Sequence, residues 1–106
     1  MNNLNTNEAE VKNSTTKGKV YVYMLRCKNN SLYTGWTTDL ERRLKTHIKG
    51  TGSKYVRANR PVELVYFEEM NDKIEATKRE YQIKQLTKEE KELLVSQHKS
   101  RTLQNL

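Results

Sequence analysis

Three tyrosines, an arginine–histidine pair and one mid-helix glutamate are the residues of this chain whose types and spacing could do chemistry. Tyr21, Tyr23 and Tyr33 fall in two β-branched and aromatic runs, where a buried phenol needs a partner for its hydroxyl. Core tyrosines with satisfied hydroxyls are the ordinary reading of such runs, and phenols facing a shared cleft are the catalytic one. Arg43 and His47 stand four residues apart on one edge of the apolar stripe Leu40, Leu44, Ile48. At helical spacing both could reach a phosphate in a cleft beside a sheet, whereas Arg42 and Lys45 point away from the stripe. Two half-exposed side chains whose stems pack on neighbours would give the same pattern. Glu80 lies near the Ala76–Ile83 side of a later helical segment. It could be an exposed partner of Lys84 four residues on, or the holder of one Mg²⁺, a cation that keeps waters and needs only one or two protein carboxylates.

The elements that must position these residues are legible as patterns. Residues 19–27 are apolar on both faces, as a central strand would be. Turn residues 28–31 lead to a second strand over 32–36, making a hairpin. A three-residue loop, Lys28 to Asn30, pairs Cys27 with Ser31 and sets Tyr23 and Tyr33 on one face; a two-residue loop needs a bulge to do so. Thr38 with Glu41 matches a capping box and opens a helix that ends before Gly50. Ser53 could cap a short turn through Arg57, and Asn59-Arg60-Pro61 breaks it. A third strand is predicted over 62–67. Asp72 with Glu75, then Thr87 with Glu90, repeat the capping pattern before two further helices. The order β-β-α-β-α-α predicts an α+β domain with a small three-stranded antiparallel sheet flanked by helices. Residues 19–97 form that domain, between a polar tail over 1–18 and a C-terminal tail over 98–106.

Composition narrows the function classes. At 106 residues there is room for one domain with a thin core. A mean hydropathy of -1.00 and the lack of a long apolar run exclude a membrane span, and the polar N-terminus has no secretory signal pattern. The lone Cys27 excludes an intramolecular disulfide and a paired-cysteine zinc site, which fits a reducing, cytoplasmic setting. Twenty Lys and Arg against thirteen Asp and Glu leave a net charge of +7. Arg42, Arg43, Lys45, Lys49, Lys54, Arg57 and Arg60, with no acid among them, match that excess within residues 42–60. Such a concentration is the footprint of a phosphate-backbone binder, or else a solvated basic face.

Taken together, Tyr21-Val22-Tyr23, Tyr33-Thr34-Gly35, Arg43, His47 and Glu80 before Ile83-Lys84 resemble the GIY-YIG nuclease family, in particular its small stand-alone bacterial members. Tyr21 stands where the family's first motif has glycine, and Thr34 replaces isoleucine in the second. The resemblance implies a metal-dependent endonuclease hydrolysing phosphodiester bonds, with one Mg²⁺ or Mn²⁺ held by Glu80. It implies that Arg43 contacts the scissile phosphate and that His47 is the histidine found one turn later in several members. It implies too that Tyr23 accepts the proton of the attacking water and that Tyr33 orients that water or donates to a phosphate oxygen. A phenol ionises near pH ~10, so a base role for Tyr23 asks for depression by Arg43, His47 and the metal. Gly35 is expected where a backbone must approach closely, and Arg42, Lys45, Lys49, Lys54, Arg57 and Arg60 along the nucleic acid. DNA is the expected partner, with RNA the alternative and room for a protein that supplies specificity. The rival readings are a nucleic-acid-binding module on the same fold with cleavage feeble or lost, and an interaction domain docking an acidic protein.

Overall fold

Strand β1 (Val20–Cys27) is the middle of the sheet because it is apolar on both faces, and it pairs antiparallel with both neighbours in the order β2-β1-β3. The computed structural model describes residues 19–104, and the polar tail expected over 1–18 lies outside them. After β1 come β2 (Leu32–Thr37), α1 (Leu40–Lys49), α2 (Lys54–Ala58), β3 (Val62–Met70), α3 (Lys73–Lys84) and α4 (Lys88–Gln104). The predicted α+β class and three-stranded antiparallel sheet are observed.

Alternation along β1 divides the core in two. Val20, Val22 and Met24 meet Tyr66, Ala76 and Ile83, with Leu94 and Val95 packed alongside, so α3 and α4 cover this face. Tyr23 and Leu25 meet Val56, with Leu40, Leu44 and Tyr33 alongside, so α1 and α2 cover the other. The hairpin uses the three-residue loop: Cys27 N–H donates to the Ser31 carbonyl at 2.9 Å, and Asn30 takes φ 69°, a conformation asparagine tolerates. Tyr23 therefore pairs with Gly35 and Leu25 with Tyr33, which sets both tyrosines on one face. Between β1 and β3 the register slips: Met24 faces Tyr66 while Leu25 faces Leu64, leaving Val65 as a bulge.

Local capping departs from expectation in two places. Helix α1 is capped by Asp39, not Thr38. Thr37 Oγ1 accepts the Asp39 N–H at 3.1 Å, which shifts the cap by one residue, and Asp39 Oδ1 then accepts the Arg42 N–H at 3.1 Å. Glu41 is left on the surface, 3.9 Å from Lys45. At α3, Asp72 accepts the Glu75 N–H at 2.8 Å, but Glu75 reaches back to the N–H of Asn71, one residue before the cap. Thr87 and Glu90 do form the reciprocal pair. Ile48 also leaves the predicted stripe and is 55% exposed, because α1 seats on Leu40, Leu44 and His47 and turns Ile48 to the margin.

Helix α4 continues through Gln104, past the boundary expected at residue 97. It is held by a fork in which Arg26 donates through both Nη atoms to Glu92, each at 2.7 Å, and by His98, whose ring lies 4.9 Å from that of Phe67. Thr34 lacks such pairing: its Oγ1 is buried with no hydrogen-bond partner among the described residues. A hydroxyl so placed costs desolvation without return. Thr34→Val, nearly isosteric, should therefore leave stability unchanged or raise it by up to about 1 kcal/mol in urea denaturation.

Candidate active site

The site is built around the phenol of Tyr23. Its residue is 1% exposed, and its ring crosses the outer strand β2 where Gly35 has no side chain. A Cβ at Gly35 would stand 2.7 Å from Tyr23 Oη and 2.9 Å from Cζ, closer than real contacts allow. Oη lies 2.9 Å from His47 Nε2, a buried hydrogen bond between β1 and α1. His47 is itself 1% exposed, not the half-exposed margin residue that its place beside the apolar stripe suggested. Its Nδ1 is buried without a hydrogen-bond partner among the described residues, and a Cβ on Gly52 would lie only 2.8 Å from it. The ring of Tyr33 meets His47 edge-on, with centroids 5.4 Å apart.

Charge converges on the same phenol. The Tyr23 hydroxyl is pushed up to about 12, chiefly by burial and also by Tyr33 and Glu80, against the pull of Arg43. Arg43 and Glu80 thus both act on Tyr23, although α1 and α3 cover opposite faces of the sheet. Burial, with help from Arg43, lowers the His47 imidazole below its ordinary 6.5, so it is neutral at pH 7. The depression expected of Tyr23 is therefore reversed in the protein alone. Arg43 supplies some of it, His47 carries no charge to add, and desolvation outweighs Arg43.

Glu80 is half-buried and pairs with Lys84 at 3.2 Å, so both sequence-derived roles for it remain compatible with one geometry. Arg79, the residue before it, turns away to Glu68 at 2.9 Å. Among the described residues no cluster of three or more His, Cys, Asp or Glu gathers in space. A zinc-type cage does not fit such a donor set. A single carboxylate fits Mg²⁺ or Mn²⁺, which fill the rest of their shell with water and phosphate oxygens.

A cleft of about 620 Å³ opens beside these groups, lined by Tyr33, Arg42, Arg43, Thr46, His47 and Gly52 among others. Arg42 borders it, although helical spacing pointed it away. Lys45, Lys49, Lys54 and Arg57 are exposed, as a backbone-tracking run would be. Two expected nucleic-acid residues are employed otherwise. Arg60 donates through Nη1 to the carbonyls of Ile48 and Lys49, at 3.3 and 3.0 Å, and so closes the C-terminal end of α1. Gly35 makes room for Tyr23, so the group that approaches it closely is a side chain of the protein itself. Sequence reasoning missed Gly52 and Tyr55. Gly52 needs glycine for space beside His47 and not for a left-handed φ, which no local pattern signals. Tyr55, on the short helix α2, stacks on Tyr33 with planes 14° apart.

Comparison with known proteins identifies the family and the fold. A family model for the GIY-YIG catalytic domain matches residues 19–93. The UPF0213 protein CPE1444 of Clostridium perfringens is 57% identical over 76 residues, covering 72% of this chain and 82% of that one. The UPF0213 protein YazA of Bacillus subtilis is 44% identical over 80 residues, with 76% and 81% covered. The solution NMR structure of the E. faecalis protein EF2693 has a TM-score of 0.53 and 41% identity, covering 74% of this chain and 84% of that one.

Two predictions follow from the Tyr23–His47–Gly35 packing. Gly35→Ala should displace the phenol, cost about 1–3 kcal/mol of stability by overpacking, and shift the His47 ring resonances in NMR as the 2.9 Å bond is lost. Stability should also depend on His47. Its contribution is full above pH 6.5 and declines as pH falls from there toward the lowered folded value, because the unfolded chain binds a proton that the folded chain refuses. In denaturation series across that window, His47→Gln should remove this part of the slope.

Proposed function

This chain belongs to the GIY-YIG family, and from that premise we propose that it is an endonuclease that hydrolyses phosphodiester bonds in DNA with one divalent cation. The observation that carries the reading is the convergence of Tyr33, Arg43, His47 and Glu80, from three elements, on the single hydroxyl of Tyr23. A structural tyrosine needs one partner for its hydroxyl. This one has a neutral imidazole, a guanidinium, a carboxylate and a second phenol around it, beside a basic cleft.

Each side chain has a role suited to its state. Tyr23 is a neutral phenol at pH 7, so it serves as a bridge: its oxygen takes the proton of the attacking water as its own proton passes to His47 Nε2. The neutral imidazole has a lone pair for that purpose. Tyr33, at the cleft wall, orients the water. Arg43 presents a planar donor fork to the phosphoryl oxygens, where charge develops in the transition state. Glu80, now paired with the exposed ammonium of Lys84, is the group that would hold Mg²⁺ or Mn²⁺. Such an ion, when bound, supplies Lewis acidity toward the leaving oxygen. Arg42, Lys45, Lys49, Lys54 and Arg57 track the nucleic-acid backbone, and the chemistry belongs to the cytoplasm, where DNA is at hand.

Titration of Mg²⁺ and Mn²⁺ against single-stranded, nicked, branched and duplex DNA tests the activity. Glu80→Gln should lower the cleavage rate by about a thousandfold or more while leaving folding and salt-sensitive binding intact. Glu75→Gln is the internal control. It weakens a helix start, costs about 0.5 kcal/mol of stability, and should cut at the wild-type rate. If Glu75→Gln abolishes cleavage and Glu80→Gln does not, the metal ligand is misassigned. Binding without cutting under every divalent ion would replace the nuclease reading with that of a binding module.

A further inference from the structure

Tyr55 is an anomaly on its helix. Its neighbour Val56 is fully buried and anchors α2 to the sheet, yet Tyr55 leaves a ring 45% exposed at the surface. That ring is not loose. Its hydroxyl is hydrogen-bonded to Ser31 Oγ at 2.6 Å and to Asn29 Nδ2 at 3.3 Å, so the β1–β2 turn holds it at the far end. The ring planes of Tyr55 and Tyr33 lie 14° apart with centroids 6.4 Å apart, and Tyr33 in turn meets His47. A row of rings thus leads from the buried hydroxyl pair outward to an exposed aromatic face. Exposed Lys54 precedes Tyr55 on the same short helix, and Lys88 reaches the turn that holds its hydroxyl, donating to the Asn30 carbonyl. An aromatic face held rigid in advance, with cations near it and no acid in residues 42–60, has the chemistry that binds a base and its phosphates.

We propose that Tyr55, continued by Tyr33, is a stacking platform for an unpaired nucleobase next to the cleft, and that the substrate is therefore single-stranded or locally unpaired there. Bases inside an intact duplex have both faces covered by their neighbours, so a ring of this kind gains nothing from a fully paired strand. Stacking is tolerant of base identity because every base has a π-face. The platform accordingly selects strand state and not sequence. This inference rests on the nucleic-acid reading above, but it concerns binding and requires no cleavage.

The test is binding in EDTA, which separates it from the chemistry. A short single-stranded DNA carrying one 2-aminopurine, and its fully paired duplex, are titrated with wild-type protein and with Tyr55→Leu, Tyr55→Phe and Tyr55→Trp. Aminopurine fluorescence should fall on binding of the single strand and change little in the duplex. Tyr55→Leu, which keeps apolar bulk but loses the π-face, should weaken single-strand binding by about five- to a hundredfold and leave duplex binding nearly unchanged. Tyr55→Phe and Tyr55→Trp should retain both affinity and quenching, and they decide the question if Tyr55→Leu unfolds. Equal weakening of both DNA forms in Tyr55→Leu, no weakening of either, or a Tyr55→Phe as poor as Tyr55→Leu overturns the platform alone. A wild type that binds neither DNA form overturns the nucleic-acid reading and the platform with it.

Discussion

A hydroxyl and an imidazole, both almost wholly buried at the edge of a cleft, are kept at least cost when they pair, and the bond between Tyr23 and His47 places that demand on everything around it. Strand β1 must be central, so that a tyrosine on it is covered from both sides. Strand β2 must carry glycine opposite, because any Cβ there would occupy the place of the phenol. Helix α1 must bury a histidine where an isoleucine would otherwise seat, and the loop after it must pass close without a side chain at Gly52. Four separate elements are thus constrained by one contact. Its polarity makes the constraint severe, since a buried polar group left without its partner is more costly than a poorly packed methyl.

The same contact explains how groups from opposite faces of the sheet act together. Tyr23 belongs to the core beneath α1, while Glu80 is carried by the helix over the other face. They meet electrostatically because β2 is the outer strand and because its glycine lets the phenol lie across it. Helix α1 supplies the complementary charge from its exposed flank through Arg42 and Arg43, beside a cleft that opens onto solvent. Only the innermost pair is dry. The arrangement keeps the neutral groups in the interior and the charged ones at the rim, where their hydration is not lost.

Much of this was readable from residue order. The alternation around Tyr23 and Tyr33, the turn that sets their register and the helical spacing of Arg43 and His47 are local patterns, and the fold honours them. What was not readable depended on contacts between distant segments. Whether Thr38 or Asp39 caps α1 turned on the hydroxyl of Thr37 reaching forward. Arg60 looked like one more cation in a basic run until the chain's path brought it against the carbonyls of Ile48 and Lys49. The ionisation of Tyr23 could not be inferred from the charges near it in sequence, because depth of burial decided it. Tyr55 gave no signal at all beyond being a tyrosine.

The bulge at Val65 has a consequence for how this fold can vary. Upstream of it, Val62 and Leu64 line the compartment of Tyr23 and Leu25; downstream, Tyr66 serves the compartment of Met24 and Ile83. One strand is thus written in two reading frames, with Val65 as the phase shift between them. Loss of Val65 itself would keep Leu64 opposite Leu25 and Tyr66 opposite Met24, whereas loss of Glu63 would send Val62 to the wrong side of the sheet. Substitutions among Val, Ile and Leu along β3 are then far more forgivable than a change in its length away from the bulge. Relatives of this chain should accordingly vary in the composition of this strand, or at the bulge itself, long before they gain or lose a residue elsewhere within it.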